Sequence, residues 1–274
     1  MTFYNFHTHT NYDDGQGSPS EIVAAAKEKG LTALGFSAHV PLPLSNQWSL
    51  PAQDFAHYVN EITRLKQQNN GNLKLYLGLE IDYIPGVSEH FDQWMRTPLD
   101  YCIGSVHLVK APPHEEFWFI DGPAEGYFQG IESLFDGDIR KAVKAYYEQS
   151  MDMIRTQPMN IIGHLDKVKM HNKEQHFGQE EPWYRSLVER LLKVIKEKNV
   201  IVELNTRGVY SGKCTEYFPS PFVLEQCLHL GIPVMVSTDA HRPDQLTSHF
   251  EEGLSLLRAI GFRKITTPFF ETEI

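Results

Sequence analysis

Histidine is about twice as common in this 274-residue chain as in an average protein, with 13 in all. Their placement says more than their number. His7 and His9 end an apolar run in Phe-His-Thr-His-Thr, and His39 closes Leu-Gly-Phe-Ser-Ala-His. Glu80 closes Tyr-Leu-Gly-Leu-Glu, His107 closes Ile-Gly-Ser-Val-His, and His164 closes Ile-Ile-Gly-His. Asp239 and His241 close Val-Ser-Thr-Asp-Ala-His. Imidazole with carboxylate is a ligand set for zinc, iron or manganese, and eight such side chains exceed what one ion uses. Gathering them in a buried place without cations would be unfavourable. A single histidine at the end of an apolar run is ordinarily a satisfied core or surface residue. Eight metal-type residues at the ends of six runs point to a metal cluster.

The runs themselves read as strands. Residues 3–7, 33–37, 73–80, 101–107, 160–164, 200–205 and 233–238 are mostly continuous apolar stretches without polar alternation, as in strands covered on both faces. Helical periodicity lies between them. Leu187, Val188, Leu191, Leu192 and Ile195 share one face, as do Leu246, Phe250, Leu254 and Leu257. Ser18, Pro19 and Glu21 form a helix start with a capping box. Seven βα-like units predict one α/β barrel of TIM type with an irregular strand count; a doubly wound open sheet is the alternative. In a parallel barrel every strand C-terminus opens on one face, so the eight residues would share a mouth. Alternate residues on a strand face opposite ways, but at a frayed end His-x-His can bend both rings to one ion.

Residues 110–137 break the rhythm after the fourth strand, with Pro112, Pro113, Phe117, Trp118, Phe119, Asp121 and Pro123. Either this insertion covers the active face or it is a surface excursion packed by its own aromatics. The other histidines (His57, His90, His114, His171, His176, His229 and His249) are read as structural or surface residues, and Cys102 as core rather than nucleophile.

Composition closes off several classes. Hydrophobic residues make up 41% and charged residues 22%, as in globular chains. No apolar run reaches the length of a membrane span. The start, Met1 to Asn5, has neither a basic segment nor a cleavage motif. Three cysteines (Cys102, Cys214 and Cys227) fit reduced thiols, so a cytoplasmic location is expected. A net charge of −10 has the wrong sign for a nucleic-acid surface. No membrane or nucleic-acid partner is expected, and the oligomeric state is not readable.

These motifs, in this order over essentially the whole chain, resemble the PHP (polymerase and histidinol phosphatase) superfamily. Tyr-Leu-Gly-Leu-Glu-Ile-Asp-Tyr, Gly-His-Leu-Asp-Lys-Val-Lys and Glu-Leu-Asn-Thr-Arg-Gly resemble its histidinol-phosphatase branch. The resemblance implies a single domain over residues 1–274, a distorted (β/α)7 barrel with three zinc, manganese or iron ions at the C-terminal ends of its strands. His7, His9, Glu80 and Asp239 would hold one ion, Glu80, His107 and His164 a second, and His39 with His241 a third. The last ligand of the third ion falls in Tyr-Asp-Asp-Gly where many relatives have Ser-Asp-Gly, which favours Asp14, the residue before Gly15, over Asp13.

The implied reaction is hydrolysis of a phosphate monoester, L-histidinol phosphate, by a hydroxide shared between ions whose charge depresses its pKa. The alternatives are another small phosphate ester, a nucleotide 3′ end, or a non-enzymatic metal-binding barrel. Arg207 is the first choice to hold phosphate, because its planar fork matches two phosphoryl oxygens; a rim salt bridge is the bland alternative. Lys169 and Arg242 are further candidates. Asp239 or His241 would protonate the leaving group. Trp118 and Asp121, from the insertion, would recognise the cationic amine and imidazole of the substrate.

Overall fold

The computed structural model describes residues 3–87, 94, 96–173 and 175–274. Among them eleven strands occur: β1 (Tyr4–Asn5), β2 (Ala33–His39), β3 (Lys74–Asp82), β4 (Tyr101–Ser105), β5 (Leu108–Lys110), β6 (Phe117–Phe119), β7 (Ile161–Ile162), β8 (Ile201–Asn205), β9 (Val234–Ser237), β10 (Lys264–Thr266) and β11 (Glu271–Glu273). Seven of them form one parallel sheet in the order β1-β2-β3-β4-β7-β8-β9, one for each run read from the sequence. The sheet curls until its edges meet. Thr8 pairs with Ala240 in parallel, His9 N–H donates to the Ala240 carbonyl at 2.9 Å, and Ala240 N–H donates to that of His7 at 3.0 Å. That closure makes an α/β barrel and removes the open-sheet alternative.

Residues of β2, β4, β8 and β9 are buried along their whole length, because helices cover one face and side chains fill the other. The interior is tight. The Tyr101 hydroxyl crosses it to donate to the carbonyls of Phe6 (2.6 Å) and Phe36 (3.1 Å). A Cβ at Gly78 would stand 2.6 Å from the Tyr101 ring, so that glycine is a space requirement. At the strands' N-terminal end the C-terminal hairpin packs beneath the barrel, with Phe269 stacked on Tyr76 at 3.8 Å and Phe270 edge-on to Tyr4 at 5.6 Å.

Among the described residues eight helices carry the outer layer: α1 (Pro19–Glu28), α2 (Phe55–Gln68), α3 (Ala124–Leu134), α4 (Ile139–Thr156), α5 (Pro182–Lys198), α6 (Arg207–Tyr210), α7 (Pro221–Leu230) and α8 (Phe250–Ile260). α1 starts as its sequence predicts. Ser18 Oγ accepts from the Glu21 N–H and the Glu21 carboxylate accepts from the Ser18 N–H, a device that contributes about 1 kcal/mol. The apolar face of α5, Leu187 through Ile195, is buried as expected. α8 is shorter than its periodicity implies. Leu246 is buried, but it follows a 3-10 turn, and His249 at φ 56 separates it from the helix.

The insertion folds on itself. β5 and β6 pair antiparallel, α3 follows, and Trp118 packs on Tyr127 (4.8 Å) and Phe135 (5.5 Å) while its indole N–H donates to the Tyr127 carbonyl. The core of the excursion is therefore its own aromatics, and only its end, at Asp121, reaches the barrel mouth. No helix among the described residues is long and apolar enough to cross a membrane.

Candidate metal centre

Strand ends deliver the polar side chains to one place. His39 ends β2 and lies in register with Glu80 on β3. Asp82, two residues further along β3, is buried like Glu80. His164 and Asp239 lie two residues beyond β7 and β9, with φ values of 26 and 49 that turn the chain inward. Such backbone is unfavourable for a residue with a Cβ and persists where the surroundings hold it. The loop after His9 is folded tightly against it: a Cβ at Gly15 would stand 2.5 Å from the His9 carbonyl carbon. Asp14 stands at the mouth and is partly exposed.

Two kinds of contact result. On the outside, five of the six rings lean on a fixed acceptor at hydrogen-bond distance; His164 is the exception. His7 Nδ1 lies 2.6 Å from Glu203 Oε1, His9 Nδ1 2.6 Å from Asp13 Oδ2, and His39 Nδ1 2.9 Å from Asp82 Oδ2. His107 Nδ1 contacts Asp82 Oδ1, and His241 Nδ1 lies 3.0 Å from the Asp239 carbonyl. On the inside, separations are longer. Glu80 Oε2 is 3.1 Å from His7 Nε2 and 3.4 Å from His9 Nε2. Its other oxygen, Oε1, is 3.2 Å from His164 Nε2 and 3.9 Å from His107 Nε2. Asp239 Oδ1 stands 3.4 Å from His9 Nε2, and Asp14 3.2 Å from His241 Nε2.

The inner distances suit cations. Ligands of one zinc ion lie roughly 3.4 Å apart when each bond is about 2.1 Å long. The outer acceptors make Nδ1 the protonated nitrogen of five rings, so five Nε2 lone pairs face carboxylate oxygens across the mouth. Lone pair against lone pair is repulsive unless a proton or a metal ion stands between. Three buried atoms of the centre, His9 Nε2, His164 Nδ1 and Asp239 Oδ1, have no hydrogen-bond partner. The residues present therefore fit a metal cluster, and they fall into overlapping groups of which three are His7, His9 and Glu80; Glu80, His107 and His164; and His9, Asp14, His39 and His241.

The same field sets the proton affinities. Burial alone would strip the proton from His7, yet the carboxylates of Glu203, Asp239 and Glu80 outweigh it and raise its pKa well above the usual value. His9 is pushed up to about 9, with burial opposing and Asp13 prevailing. Burial also works against ionised Glu80, but His7 and His39 hold its carboxyl well below the usual range. His164 differs: burial and then Lys167 push it down to about 4, so its ring stays neutral. Without ions, the centre binds protons where cations would sit.

Cations line one side of the mouth. Arg207 lies there, its guanidinium donating to the Asp239 carbonyl at 3.1 Å, and among the described residues it forms no rim salt bridge. Lys167, unforeseen from the sequence, is buried and reaches the mouth, paired with Asp121 at 2.8 Å. Three other expectations are corrected. Lys169 sits two residues along the same 3-10 turn but points away, held by Asp166 (2.9 Å) and Glu216 (3.0 Å). Arg242 is exposed and forks onto Asp244 (3.0 and 2.7 Å), outside the residues that line the mouth. Trp118 is in the insertion's core. Asp121 does line the mouth, but two lysines, Lys167 and Lys213, claim its carboxylate. An aromatic ring beside the centre is that of Trp48, half-buried, 5.0 Å from the His39 ring and 6.1 Å from that of His107.

Asp82 and Glu203 were legible only in part. Each is a carboxylate in an otherwise apolar strand, Asp82 two residues after Glu80 in Gly-Leu-Glu-Ile-Asp and Glu203 alone in Ile-Val-Glu-Leu-Asn, and such a charge must be partnered when buried. Asp13, beside the inward Asp14, takes the outer role on His9. Of the histidines read as structural, His90 lies outside the described residues. His57, His114, His171, His176, His229 and His249 are absent from the mouth lining, and Cys102 is buried in β4.

Several known proteins are similar to this chain. A histidinol-phosphatase of Bacillus subtilis is 26% identical over 89% of this chain and 96% of its own length. One from Lactococcus lactis subsp. lactis is 25% identical over 96% of this chain and 93% of its own. The crystal structure of histidinol phosphate phosphatase from Lactococcus lactis, complexed with zinc, L-histidinol and phosphate, superposes with a TM-score of 0.70 over 99% of both chains at 19% identity. The PHP domain model matches residues 5–207, most of the barrel including His7 through Arg207. The chain belongs to the PHP domain family.

Proposed function

We propose that this chain is a metal-dependent phosphomonoesterase that hydrolyses L-histidinol phosphate to L-histidinol and phosphate, and that three zinc, manganese or iron ions serve it. The division of Glu80 carries the reading, one oxygen toward His7 and His9 and the other toward His107 and His164. A carboxylate so placed would serve two ion positions. His7, His9, Glu80 and Asp239 would hold one ion, Glu80, His107 and His164 another, and Asp14, His39 and His241 the third. When bound, such ions supply an activated water for attack on phosphorus and neutralise the phosphoryl oxygens.

The chain's own groups do the rest. Arg207 and Lys167 take phosphoryl oxygens on one side of the mouth and orient phosphorus toward the centre. With phosphate held there, the organic part of the ester points away from the cations, toward the half-buried Trp48, whose ring suits an imidazole or a cation. Asp239 and His241, both at the mouth, remain the candidates to hand a proton to the departing oxygen, although as ligands both favour their deprotonated forms. The histidinol-phosphatases that this chain resembles, and the one solved with L-histidinol and phosphate, support the choice of ester. A net charge of −10 favours a small ester over a nucleotide strand.

The test is phosphate release from a panel of monoesters by purified protein whose metal content is measured on the same sample. Histidinol phosphate should lead the panel. Equal kcat/KM for histidinol phosphate and glycerol phosphate would overturn the substrate, and no release from any ester by metal-replete protein would overturn the reaction.

A further inference from the structure

We propose that Asp82 is a positioning residue that ties two ion positions together by setting His39 and His107 at once. The proposal rests on the reading above, in that both groups hold ions. Asp82 is the last residue of β3 and is 1% exposed. Its Oδ2 lies 2.9 Å from His39 Nδ1, and its Oδ1 accepts from His107 Nδ1 in a shorter contact. In two candidate groups these rings are apart, His39 with His9, Asp14 and His241, and His107 with Glu80 and His164; in a further one both stand with Asp82 itself. The other rings have anchors of their own, His7 on Glu203, His9 on Asp13 and His241 on the Asp239 carbonyl.

Asp82 acts through the rings rather than as a ligand between them. Its oxygens already stand at direct hydrogen-bond distance from both Nδ1 atoms, closer than the roughly 3.4 Å at which two ligands share a zinc ion. A carboxylate offers an acceptor to each ring, so both rings are set with Nδ1 protonated and Nε2 free for a cation. Its backbone is fixed by the pairing of β3 with β4 and by the Tyr83 N–H donating to the Ser105 carbonyl at 2.9 Å. The carboxylate moves as one body. A ring drawn toward its ion shifts the acceptor on which the other ring leans, and by linkage each position then changes the affinity of the other by the same factor.

An amide at this position breaks the arrangement in a defined way. Asparagine has one acceptor and one donor where aspartate has two acceptors. One ring must then turn its Nδ1 lone pair to the amide N–H and carry its proton on Nε2, facing the ion. The other ring keeps an acceptor, but a neutral and weaker one. Both positions lose affinity, unequally.

The experiment titrates chelated wild type, Asp82→Asn and Asp82→Glu with zinc and with cobalt(II), reading ion content by elemental analysis and the cobalt absorption spectrum. His241→Ala and His164→Ala assign the two binding phases. Wild type should fill both positions. Asp82→Asn should lose about ten- to a hundredfold in affinity at one and less at the other. Asp82→Glu, with two acceptors restored, should recover part of both. If Asp82→Asn melts like wild type when chelated and either position keeps wild-type affinity, the proposal is overturned while the metal reading stands. Wild type that fills neither position would overturn both.

Discussion

His7 Nδ1 stands 2.6 Å from Glu203 Oε1, and neither side chain has measurable exposure. The contact decides which face of the His7 ring is free, because a protonated Nδ1 leaves Nε2 toward Glu80 and Asp239. Glu203→Gln offers Nδ1 an N–H instead of an acceptor on one side. It should weaken metal binding by about ten- to a hundredfold with the barrel intact. Metal titration of the chelated variant checks this, and wild-type affinity would show that the tautomer is set elsewhere.

Glu80 faces five imidazoles, those of His7, His9, His39, His107 and His164, so its removal should be felt by two ions together. Glu80→Gln should lower metal content and reduce turnover by several orders of magnitude with the fold retained. His57→Ala, exposed and remote from the mouth, is the control and should behave as wild type. Elemental analysis with unchanged stoichiometry in Glu80→Gln would remove it from the bridge.

The phosphate clamp separates the neighbouring cations. Charge-assisted contacts are worth roughly 1.5–3 kcal/mol. Arg207→Ala and Lys167→Ala should each lower kcat/KM by about ten- to a hundredfold and weaken inhibition by inorganic phosphate. Arg242→Ala should change neither, because its fork is spent on Asp244 at the surface. Undiminished phosphate inhibition in Arg207→Ala would place Arg207 outside the clamp.

Two tryptophans should behave oppositely. Trp48→Ala should lower kcat/KM for histidinol phosphate by about tenfold while sparing p-nitrophenyl phosphate, since an aromatic contact contributes about 0.5–1.5 kcal/mol. Trp118→Ala should leave that selectivity alone and destabilise the protein by about 3–5 kcal/mol, because its ring fills the insertion's core. Thermal melts and parallel kinetics on the two esters distinguish them. A drop in selectivity with Trp118→Ala and none with Trp48→Ala would reverse the assignment.

The pH dependence of the chelated protein has a definite sign. His9 is raised from 6.5 to about 9 in the fold, with Asp13 overcoming burial. A histidine that holds its proton more tightly when folded stabilises the fold fully below its unfolded pKa, and that contribution is lost as pH rises through the folded value. The melting temperature of chelated protein should fall between about pH 7 and pH 10. Loading replaces those protons, so metal content should fall as pH is lowered from neutrality. A flat or rising melting temperature over that alkaline range would mean that the rings are neutral in the chelated fold.

Much of the centre can be read along the chain because it hangs on strand ends. An apolar run that stops at a histidine or a carboxylate is visible locally, and a parallel barrel sends every such end to one face. That is how His7, His9, His39, Glu80, His107, His164, Asp239 and His241 are found without coordinates. The side chains of loops and turns obey no such period. Asp13 and Asp14 are adjacent and chemically identical, and only the fold of the loop onto His9 sends one to the ring's outer side and the other into the mouth. Lys167 and Lys169 share one 3-10 turn, yet Asp121 draws one inward while Asp166 and Glu216 hold the other away. Trp118 misses the place expected of it because the insertion collapses on its own aromatics, while the loop after β2 lays Trp48, which the sequence did not single out, against His39. Glu203 meets His7 across 196 residues. Strand position is a local property of alternation and burial; the partner of a loop side chain is chosen by segments distant in sequence, and those meet only when the barrel closes between Thr8 and Ala240.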